Sequence, residues 1–386
     1  MTEMQEKRYV AVICEYNPFH FGHLHQINRL KEEFDGVVCI MSGNFVQRGS
    51  LAVADKYLRA EAAVRSGANL VVELPFPWCA SSAREFAKAG VHIAAEIGVS
   101  HLAFGAEDSL ESLCEIQSFV SCDEFSEKLK NLVKTNQNLS YPQALKTLVA
   151  QRFGEEYAKA CEKPNNILGL EYLSALEGKN ISPFAVKREP DFKSSSTIRS
   201  LGDPRSILEN LPEESRAVFG RASGEDFPRD IKKLDSFFIA SLRRMSCEEK
   251  GCEFYSTPYD LYKKLIASSV KVNCVDELIS ACTDKVYTAA RVRRALLATV
   301  FGVTSERLQK MPTYTCVLAS DEVGRAILKN TKKNAQIDII TKPVKALTAS
   351  KETAEAFAFS KSAEDVAALS APNPLPSDAG KTPFVK

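Results

Sequence analysis

The sequence has no long hydrophobic run and no excess of charge of one sign, and each absence excludes a class of protein. Its apolar runs are short, like that from Val37 to Met41, so no stretch fits a transmembrane helix. The first eight residues lack the apolar stretch of a signal peptide. Lys plus Arg number 50 and Asp plus Glu 49, which argues against a uniformly basic nucleic-acid binder and against an acidic solvating chain. We therefore expect a cytoplasmic globular protein.

Metal-binding cysteine patterns are also missing from the sequence. The eleven cysteines are scattered, no Cys-x-x-Cys pair occurs, and no group of Cys and His residues has zinc-finger spacing. An odd number of cysteines without such spacing is typical of reduced thiols that pack as small apolar residues. The pattern predicts no metal site.

The first half of the chain instead shows a regular alternation of strand and helix patterns. Four short apolar runs alternate with three helical patterns in the order 9–14, 24–34, 37–41, 55–66, 69–74, 82–97 and 101–104. Continuous apolar strands separated by helices are typical of a parallel sheet covered on both faces. With right-handed crossovers, such a sheet is a doubly wound α/β layer.

The later residues change in character, and the length of 386 residues allows two to three domains. Another strand pattern occurs at 183–186, but strand patterns become rare beyond about residue 203, where helical patterns dominate. The last forty or so residues are rich in Ala, Ser, Pro and Lys, as in a loosely ordered tail or an element docked on another surface. We predict an α/β catalytic domain at 8–202, an α-rich domain at 203–345 and a variable tail at 346–386.

One short motif carries recognisable chemistry. His20 and His23 flank Gly22 in the pattern HxGH, where the first predicted strand ends and the next helix begins. Ligands bind at this edge of α/β sheets, and a helix N-terminus offers free N–H groups to a phosphate. Two imidazoles there can donate hydrogen bonds to phosphoryl oxygens as charge builds in a transition state. Chance placement gives roughly three such matches in a thousand sequences of this composition, so we interpret the motif as a phosphoryl-transfer site.

Several sequence blocks, in order, resemble the bacterial tRNA(Met) cytidine acetate ligases, which belong to the HxGH nucleotidyltransferase-like superfamily. The blocks are EYNPFHFGH at 15–23, MSGNFVQRG at 41–49, ELP at 73–75, FGAED at 104–108 and KPNNILG at 163–169. One departure is visible, because Ser50-Leu51 stands where the family usually has Glu-Pro.

This resemblance implies a fold, a reaction and its partners. The fold would be a HUP-type, nucleotidyltransferase-like Rossmann domain followed by an α-rich, tRNA-binding domain. Acetate and ATP would form acetyl-AMP, and the N4 amine of the wobble cytidine of elongator tRNA(Met) would then take the acetyl group. Magnesium is expected to accompany ATP.

The resemblance also implies site residues. His20 and His23 would be the catalytic residues on the phosphates. The ATP site would comprise Ile13, Cys14, Glu15, Tyr16, Asn17, Pro18, Phe19, His20, Phe21, Gly22, His23, Leu24, His25, Gln26, Gly105, Asn165 and Arg188. The run SSSTIR at 194–199 resembles a superfamily phosphate-binding turn and adds three candidate phosphate contacts, Ser195, Ser196 and Arg199.

A chain whose net charge is nearly zero can bind RNA only if its basic residues cluster on one part of its surface. Residues 284–310 hold six basic and two acidic side chains, so Arg291, Arg293 and Arg294 are candidate tRNA contacts, with Tyr287 a candidate for stacking on a base. The loop 42–49 is expected to act as a lid or as a contact for acetate or tRNA, and Lys56 and Arg59 are expected to reach the same cleft.

Two alternatives stay open at this stage. HxGH alone fits an adenylyl- or cytidylyltransferase that acts on a small phosphorylated metabolite equally well. The chain is alternatively a catalytically silent RNA-binding module that retains the fold, although the intact His20 and His23 argue against this.

Overall fold

Strands from both ends of the chain build one central sheet. The computed structural model describes residues 7–135, 141–189, 191–245, 254–373 and 381–386. The strands of these residues are β1 Tyr9–Cys14, β2 Gly36–Ser42, β3 Phe45–Val46, β4 Ser50–Leu51, β5 Leu70–Leu74, β6 His101–Ala106, β7 Ser182–Lys187, β8 Tyr314–Ser320, β9 Asp338–Ile340 and β10 Phe384–Val385.

The order of the strands in the sheet is β10-β8-β5-β2-β1-β6-β7, with β9 paired to β8. Neighbouring strands are parallel except β5 and β8, which are antiparallel. The chain runs from β1 outward through β2 to β5 and then returns to β6 on the other side of β1. This reversal opens a crevice at the carboxyl ends of β1 and β6, where open α/β sheets bind ligands. The short pair β3 and β4 forms a separate hairpin.

Helices cover both faces of the sheet. In chain order they are α1 Phe21–Lys31, α2 Lys56–Arg65, α3 Ala83–Ile97, α4 Leu110–Val120, α5 Asp123–Thr135, α6 Tyr141–Phe153, α7 Glu155–Ala160, α8 Pro164–Leu176, α9 Ser195–Arg199, α10 Pro204–Glu209, α11 Glu213–Arg221, α12 Asp235–Arg243, α13 Tyr259–Ser269, α14 Val275–Cys282, α15 Ala289–Phe301, α16 Ser305–Gln309, α17 Glu322–Asn334, α18 Pro343–Ala346 and α19 Lys351–Ala368. No helix of the described residues is long and apolar enough to cross a membrane.

Alternate residues of each central strand feed two separate cores. Ala11 and Ile13 of β1 join the core that contains α3 and α8, whereas Val10 and Val12 join the core that contains α1 and α2. Because successive side chains of a strand point to opposite faces, a strand buried on both faces must be apolar throughout. The predicted doubly wound α/β fold is confirmed, and it holds the carboxyl ends of β1 and β6 in a fixed position.

The central sheet includes strands from later parts of the chain than the sequence patterns predict. The predicted boundaries at 202 and 345 stay a prediction, but β8 and β9 bring residues of the second segment into the sheet, and β10 does the same for the tail. The tail also contributes the 18-residue helix α19, which packs through buried residues such as Phe357 and Ala363. Cys247 and Cys252 lie outside the described residues, and the nine described cysteines are free thiols.

Candidate active site

A cleft of about 350 Å³ lies at the crevice between the carboxyl ends of β1 and β6. Its walls come from the turn after β1, the first turns of α1, the end of β6, α8 and the segment after β7. It brings together most of the predicted site residues, namely Ile13, Cys14, Glu15, Tyr16, His20, Gly22, His23, His25, Gln26, Gly105, Asn165, Arg188, Ser195, Ser196 and Arg199.

Five residues of the predicted ATP site do not line the cleft, namely Asn17, Pro18, Phe19, Phe21 and Leu24. On α1, Gly22, His23, His25 and Gln26 line the cleft, whereas Phe21 and Leu24 project away from it. Asn17 is buried, and its Oδ1 accepts a hydrogen bond from the Val53 N–H at 2.8 Å. Asn17, Pro18 and Phe19 are buried behind the turn, whereas Phe21 is exposed.

The two histidines of the HxGH motif cap helix α1. The Nδ1 of His20 accepts a hydrogen bond from the Gly22 N–H at 3.0 Å, and the Nδ1 of His23 accepts one from the His20 N–H at 3.3 Å. Their rings stack with centroids 3.8 Å apart. Because both Nδ1 atoms are acceptors, a neutral ring must carry its proton on Nε2. Both imidazoles are therefore held in the tautomer that keeps an N–H donor for a ligand.

Both imidazoles are neutral at physiological pH. Burial, followed by the charges of Arg188 and Arg199, lowers the pKa of His20 from 6.5 to about 4. Burial, then His20 and Arg188, lowers the pKa of His23 well below its ordinary value. The His23 ring packs on the ring of Tyr16 at 4.8 Å, which adds to its desolvation. The pair can thus donate hydrogen bonds to phosphate oxygens without itself titrating near pH 7.

Gly22 relieves a close contact that sequence reasoning missed. A Cβ at this position would lie 3.0 Å from Cε1 and 3.2 Å from Nδ1 of His20. The glycine therefore makes room for the His20 ring to fold back over the helix N-terminus, in addition to leaving the backbone open to a phosphate.

Basic groups and a helix start form the opposite wall of the cleft. Arg199 is the last residue of α9, and its guanidinium donates a hydrogen bond to the Asn17 carbonyl, which braces the turn after β1. Ser194 caps α9, with its Oγ accepting from the Thr197 N–H at 3.2 Å. Arg188 follows β7 and lies close enough to the histidines for its charge to lower the pKa of both imidazoles. This wall concentrates positive charge and N–H donors where a triphosphate would need them.

The loop 42–49 closes one side of the cleft and is tied to its floor. The Glu15 Oε1 accepts a hydrogen bond from the Gln47 N–H at 3.0 Å, and Gln47 and Arg48 both line the cleft. Burial raises the pKa of the Glu15 carboxyl, and the hydrogen bond from Gln47 opposes this shift. Ser50 and Leu51, which depart from the family pattern, pair with β3 as strand β4.

Lys56 and Arg59 do not reach the cleft, contrary to expectation. Lys56 is buried and pairs with Glu73 at 2.8 Å and with Glu364 at 3.6 Å. Arg59 is fully buried, and its guanidinium donates to the carbonyls of Glu15 and Ser42 at 2.5 and 3.0 Å. Arg59 thus holds the loop directly, and Glu364, the partner of Lys56, accepts a hydrogen bond from the Asn44 N–H of the loop.

Some lining residues were missed from the sequence. Leu168 and Tyr172 of α8 line the cleft together with Asn165. They lie three and seven residues after it, a spacing that places them on one face of a helix and supplies a usable signal. Lys187, at the end of β7, and Glu189 and Phe192, after it, carried no such signal.

The predicted tRNA contacts on α15 separate into two groups. Arg291 and Arg293 are half-buried on the helix surface. Arg294 turns toward the loop 42–49, where its Nη1 donates to the Gln47 carbonyl at 3.4 Å. Tyr287 cannot stack on a base as expected, because it is 7% exposed and its hydroxyl donates to Asp260 at 2.5 Å.

Metal ligands are scarce around the cleft. The described part of the chain has no group of three or more His, Cys, Asp or Glu side chains placed to hold a metal ion. Of the carboxylates that line the cleft, Glu15 is already engaged by Gln47. These residues do not form a cage for Mg²⁺, which commonly keeps its waters and binds through substrate phosphates.

Comparisons with known proteins agree on one family. The sequence model of the HIGH Nucleotidyl Transferase family matches residues 7–381. The tRNA(Met) cytidine acetate ligase of Clostridium perfringens is 32% identical over 88% of this chain and 90% of its own length. That of Syntrophomonas wolfei is 30% identical over 96% of this chain and 97% of its own length.

A solved structure has the same fold over the whole length. Thermotoga maritima TmcAL, crystallised with alpha-thio ATP, is 28% identical to this chain and superposes on it with a TM-score of 0.89. The match covers 98% of this chain and 99% of TmcAL. An apo crystal form of the same protein also has a TM-score of 0.89. This chain belongs to the tRNA(Met) cytidine acetate ligase family of HIGH nucleotidyl transferases.

Proposed function

We propose that this protein is an ATP-dependent ligase that activates acetate as acetyl-AMP and transfers the acetyl group to N4 of the wobble cytidine of elongator tRNA(Met). The observation that carries the proposal is the stacked, neutral pair of His20 and His23 at the sheet crevice, in a chain whose relatives bear this activity in their names. Because its substrate is a tRNA, the enzyme acts in the cytoplasm.

The first step needs charge stabilisation more than a protein nucleophile. A carboxylate oxygen of acetate attacks the α-phosphorus of ATP, and the bond from that phosphorus to the bridging oxygen breaks with its electron pair leaving on pyrophosphate. The Nε2–H groups of His20 and His23 donate to phosphoryl oxygens as their charge grows. Arg188 and Arg199 neutralise the departing pyrophosphate. Mg²⁺ is expected to enter with the triphosphate, held mainly by phosphate oxygens and water.

In the second step the N4 amine attacks the acetyl carbonyl of acetyl-AMP. The C–N bond forms, the bond from the carbonyl carbon to the phosphate oxygen breaks, and AMP leaves while the amine loses a proton. Ser195 and Ser196, at the start of α9, stay candidate phosphate contacts for both nucleotide states.

tRNA binding is assigned to the helical region beside the loop 42–49. Arg291 and Arg293 lie on α15, the helix whose Arg294 contacts this loop at Gln47. Phosphate contacts from such residues release counterions, so tRNA affinity is expected to fall steeply with salt. A double variant of Arg291 and Arg293 to Gln is expected to reduce the slope of log affinity against log salt by about 2.

The alternative is an adenylyl- or cytidylyltransferase that acts on a small phosphorylated metabolite. The same neutral histidines and basic wall would serve that reaction. The helical region next to the cleft and the names of the relatives favour RNA as the acceptor.

Product analysis separates the two functions. Purified protein is incubated with ATP, labelled acetate and total bacterial tRNA, and pyrophosphate release and tRNA nucleosides are measured. We expect acetate-dependent pyrophosphate release and labelled N4-acetylcytidine in tRNA(Met). His20→Ala should lower the rate by at least about a hundredfold if it removes a transition-state donor. His92→Ala, which removes an imidazole of α3 outside the cleft, is the matched control. A nucleotide-capped metabolite and unmodified tRNA would contradict the proposal.

A further inference from the structure

The wall of the cleft formed by α8 is organised by a residue that does not line it. Glu107 immediately follows β6, and its carboxylate is directed at the N-terminus of α8. Its Oε1 accepts a hydrogen bond from the Asn165 Nδ2 at 2.6 Å, and its Oε2 accepts one from the Asn166 N–H at 3.2 Å. Its own N–H donates to the Asn166 Oδ1 at 3.0 Å. Glu107 and α8 are thereby fixed to one another by three hydrogen bonds.

The same carboxylate also lies beside the basic wall. Its Oε1 is 3.9 Å from the Arg188 Nη1, and the Arg188 N–H donates to the Ala106 carbonyl at 3.1 Å. The partly buried Glu107 carboxylate therefore contacts two side chains that line the cleft, those of Asn165 and Arg188, which lie 23 residues apart in sequence.

The pairing with Glu107 decides which way the Asn165 amide is turned. A carboxylate only accepts hydrogen bonds, so the atom of Asn165 that contacts it must be the NH₂ group. The Asn165 Oδ1 accepts no hydrogen bond from any residue that the structure describes. Asn165 thus presents an acceptor to whatever occupies the cleft beside it.

This orientation selects the part of a nucleotide that the residue can bind. Phosphate oxygens are acceptors and gain nothing from a second acceptor, whereas a nucleoside carries donors on its base amine and its ribose hydroxyls. The cleft wall that carries Asn165 includes the apolar side chains of Leu168, Tyr172 and Val186. Arg188, which the same Glu107 carboxylate contacts, begins the basic side of the cleft, so Asn165 lies next to the boundary between the two sides.

We infer that Glu107 is a positioning residue that locks the Asn165 amide with its oxygen toward the nucleoside, so that the site requires a hydrogen-bond donor on the nucleoside, either the 6-amine or a ribose hydroxyl. The inference rests on the proposed ATP site but not on acetate or tRNA as the other substrates.

The test is equilibrium binding of nucleotides to the full-length protein, without acetate or tRNA. The ligands are ATP and three analogues that each lack one donor: purine riboside triphosphate, 2′-deoxyATP and 3′-deoxyATP. In the wild type, one analogue is expected to bind about three- to tenfold more weakly than ATP, and its identity names the donor.

Glu107→Gln is the informative variant. A glutamine has both a donor and an acceptor, so it no longer forces Asn165 to present its oxygen. We expect this variant to bind ATP more weakly than the wild type. We also expect the ratio of the dissociation constants of ATP and of the analogue that the wild type binds more weakly to fall below about twofold, as in Asn165→Ala. Asp108→Asn is the matched control, because Asp108 loses the same charge in the same loop but contacts Asn166 and Lys163 instead.

A purely structural role for Glu107 would lower the melting temperature without changing the analogue ratio. An unchanged ratio in Glu107→Gln, an unchanged ratio in Asn165→Ala, or a wild type that binds every analogue as tightly as ATP would each overturn the inference. If the ratio changes as expected but no acetylcytidine forms, the proposed function fails while the inference stands. If acetylcytidine forms with an unchanged ratio, the inference alone fails.

Discussion

The neutral histidine pair makes the stability of this protein depend on pH in a defined window. In the folded chain the pKa of His20 is lowered from 6.5 to about 4, chiefly by burial. An unfolded chain returns this imidazole to water and to its ordinary pKa. Between these two values the unfolded chain binds more protons than the folded one. The stability contributed by a neutral His20 is therefore fully present above about pH 6.5 and is lost as the pH falls toward 4.

The magnitude follows from the size of the shift. A pKa lowered from 6.5 to about 4 corresponds to a loss of roughly 3 kcal/mol once the pH is below both values. At about pH 5 the loss amounts to roughly 2 kcal/mol, and near pH 7 it is negligible. His23 shifts in the same direction and adds to the effect.

His20→Asn isolates this contribution. Asparagine is a favoured residue at the start of a helix, so the variant keeps an acceptor for the cap while removing the titrating ring. Unfolding free energies are measured by urea titration for the wild type and the variant near pH 7 and near pH 5. We expect the wild type to lose about 2 kcal/mol relative to the variant over this interval.

Stability differences that stay constant between the two pH values would refute this reasoning, because they would mean that His20 titrates alike in both states. His25→Asn is the matched control, since His25 lies on the same helix but is only half-buried. If both variants lose equally little unfolding free energy between pH 7 and pH 5, the effect comes from the loss of any imidazole from α1 and not from His20 in particular.

Two further variants test the walls of the site. Gly105→Leu should weaken ATP binding about tenfold or more, as measured by calorimetric titration, because the leucine side chain would occupy the cleft. Thermal unfolding should show little change in melting temperature, because a Cβ at Gly105 meets no atom within 4 Å. Lys56→Met should lower the unfolding free energy by about 3 kcal/mol in urea titrations, because it leaves the buried carboxylates of Glu73 and Glu364 without their shared cation, whereas Lys351→Met at an exposed pair with Glu355 should change it by less than about 0.5 kcal/mol.

The sequence predicted the elements that place the cleft. β1, β2, β5 and β6 were predicted because strands buried on both faces are continuous apolar runs and helices with recognisable starts separate them. β7 was also predicted, although it is an edge strand that is only partly buried. Once these strands are parallel and in this order, their carboxyl ends must meet at one edge. The position of His20 and His23 at that edge therefore followed from local patterns alone.

The far edge of the sheet did not follow from such patterns. β8 is as apolar as the central strands, but more than a hundred residues of mostly helical pattern precede it, and its antiparallel pairing with β5 depends on long-range contacts. Contacts between side chains that lie far apart in sequence could not be predicted for the same reason. Nothing near Lys56 in the sequence shows that Glu364 will pair with it, and nothing near Asn165 shows that Glu107 will orient it.

The hydrogen bonds from the Asn44 N–H to the Glu364 carboxylate join residues 320 positions apart, at 3.2 and 3.4 Å to the two oxygens. At about 5–20 residues per second, a ribosome needs tens of seconds to supply the second partner after the first has emerged. During this time the loop 42–49 lacks the contact from α19 and β5 has an open edge that invites pairing with other chains. A nascent chain of this protein is therefore expected to depend on chaperones until its last helix has been made.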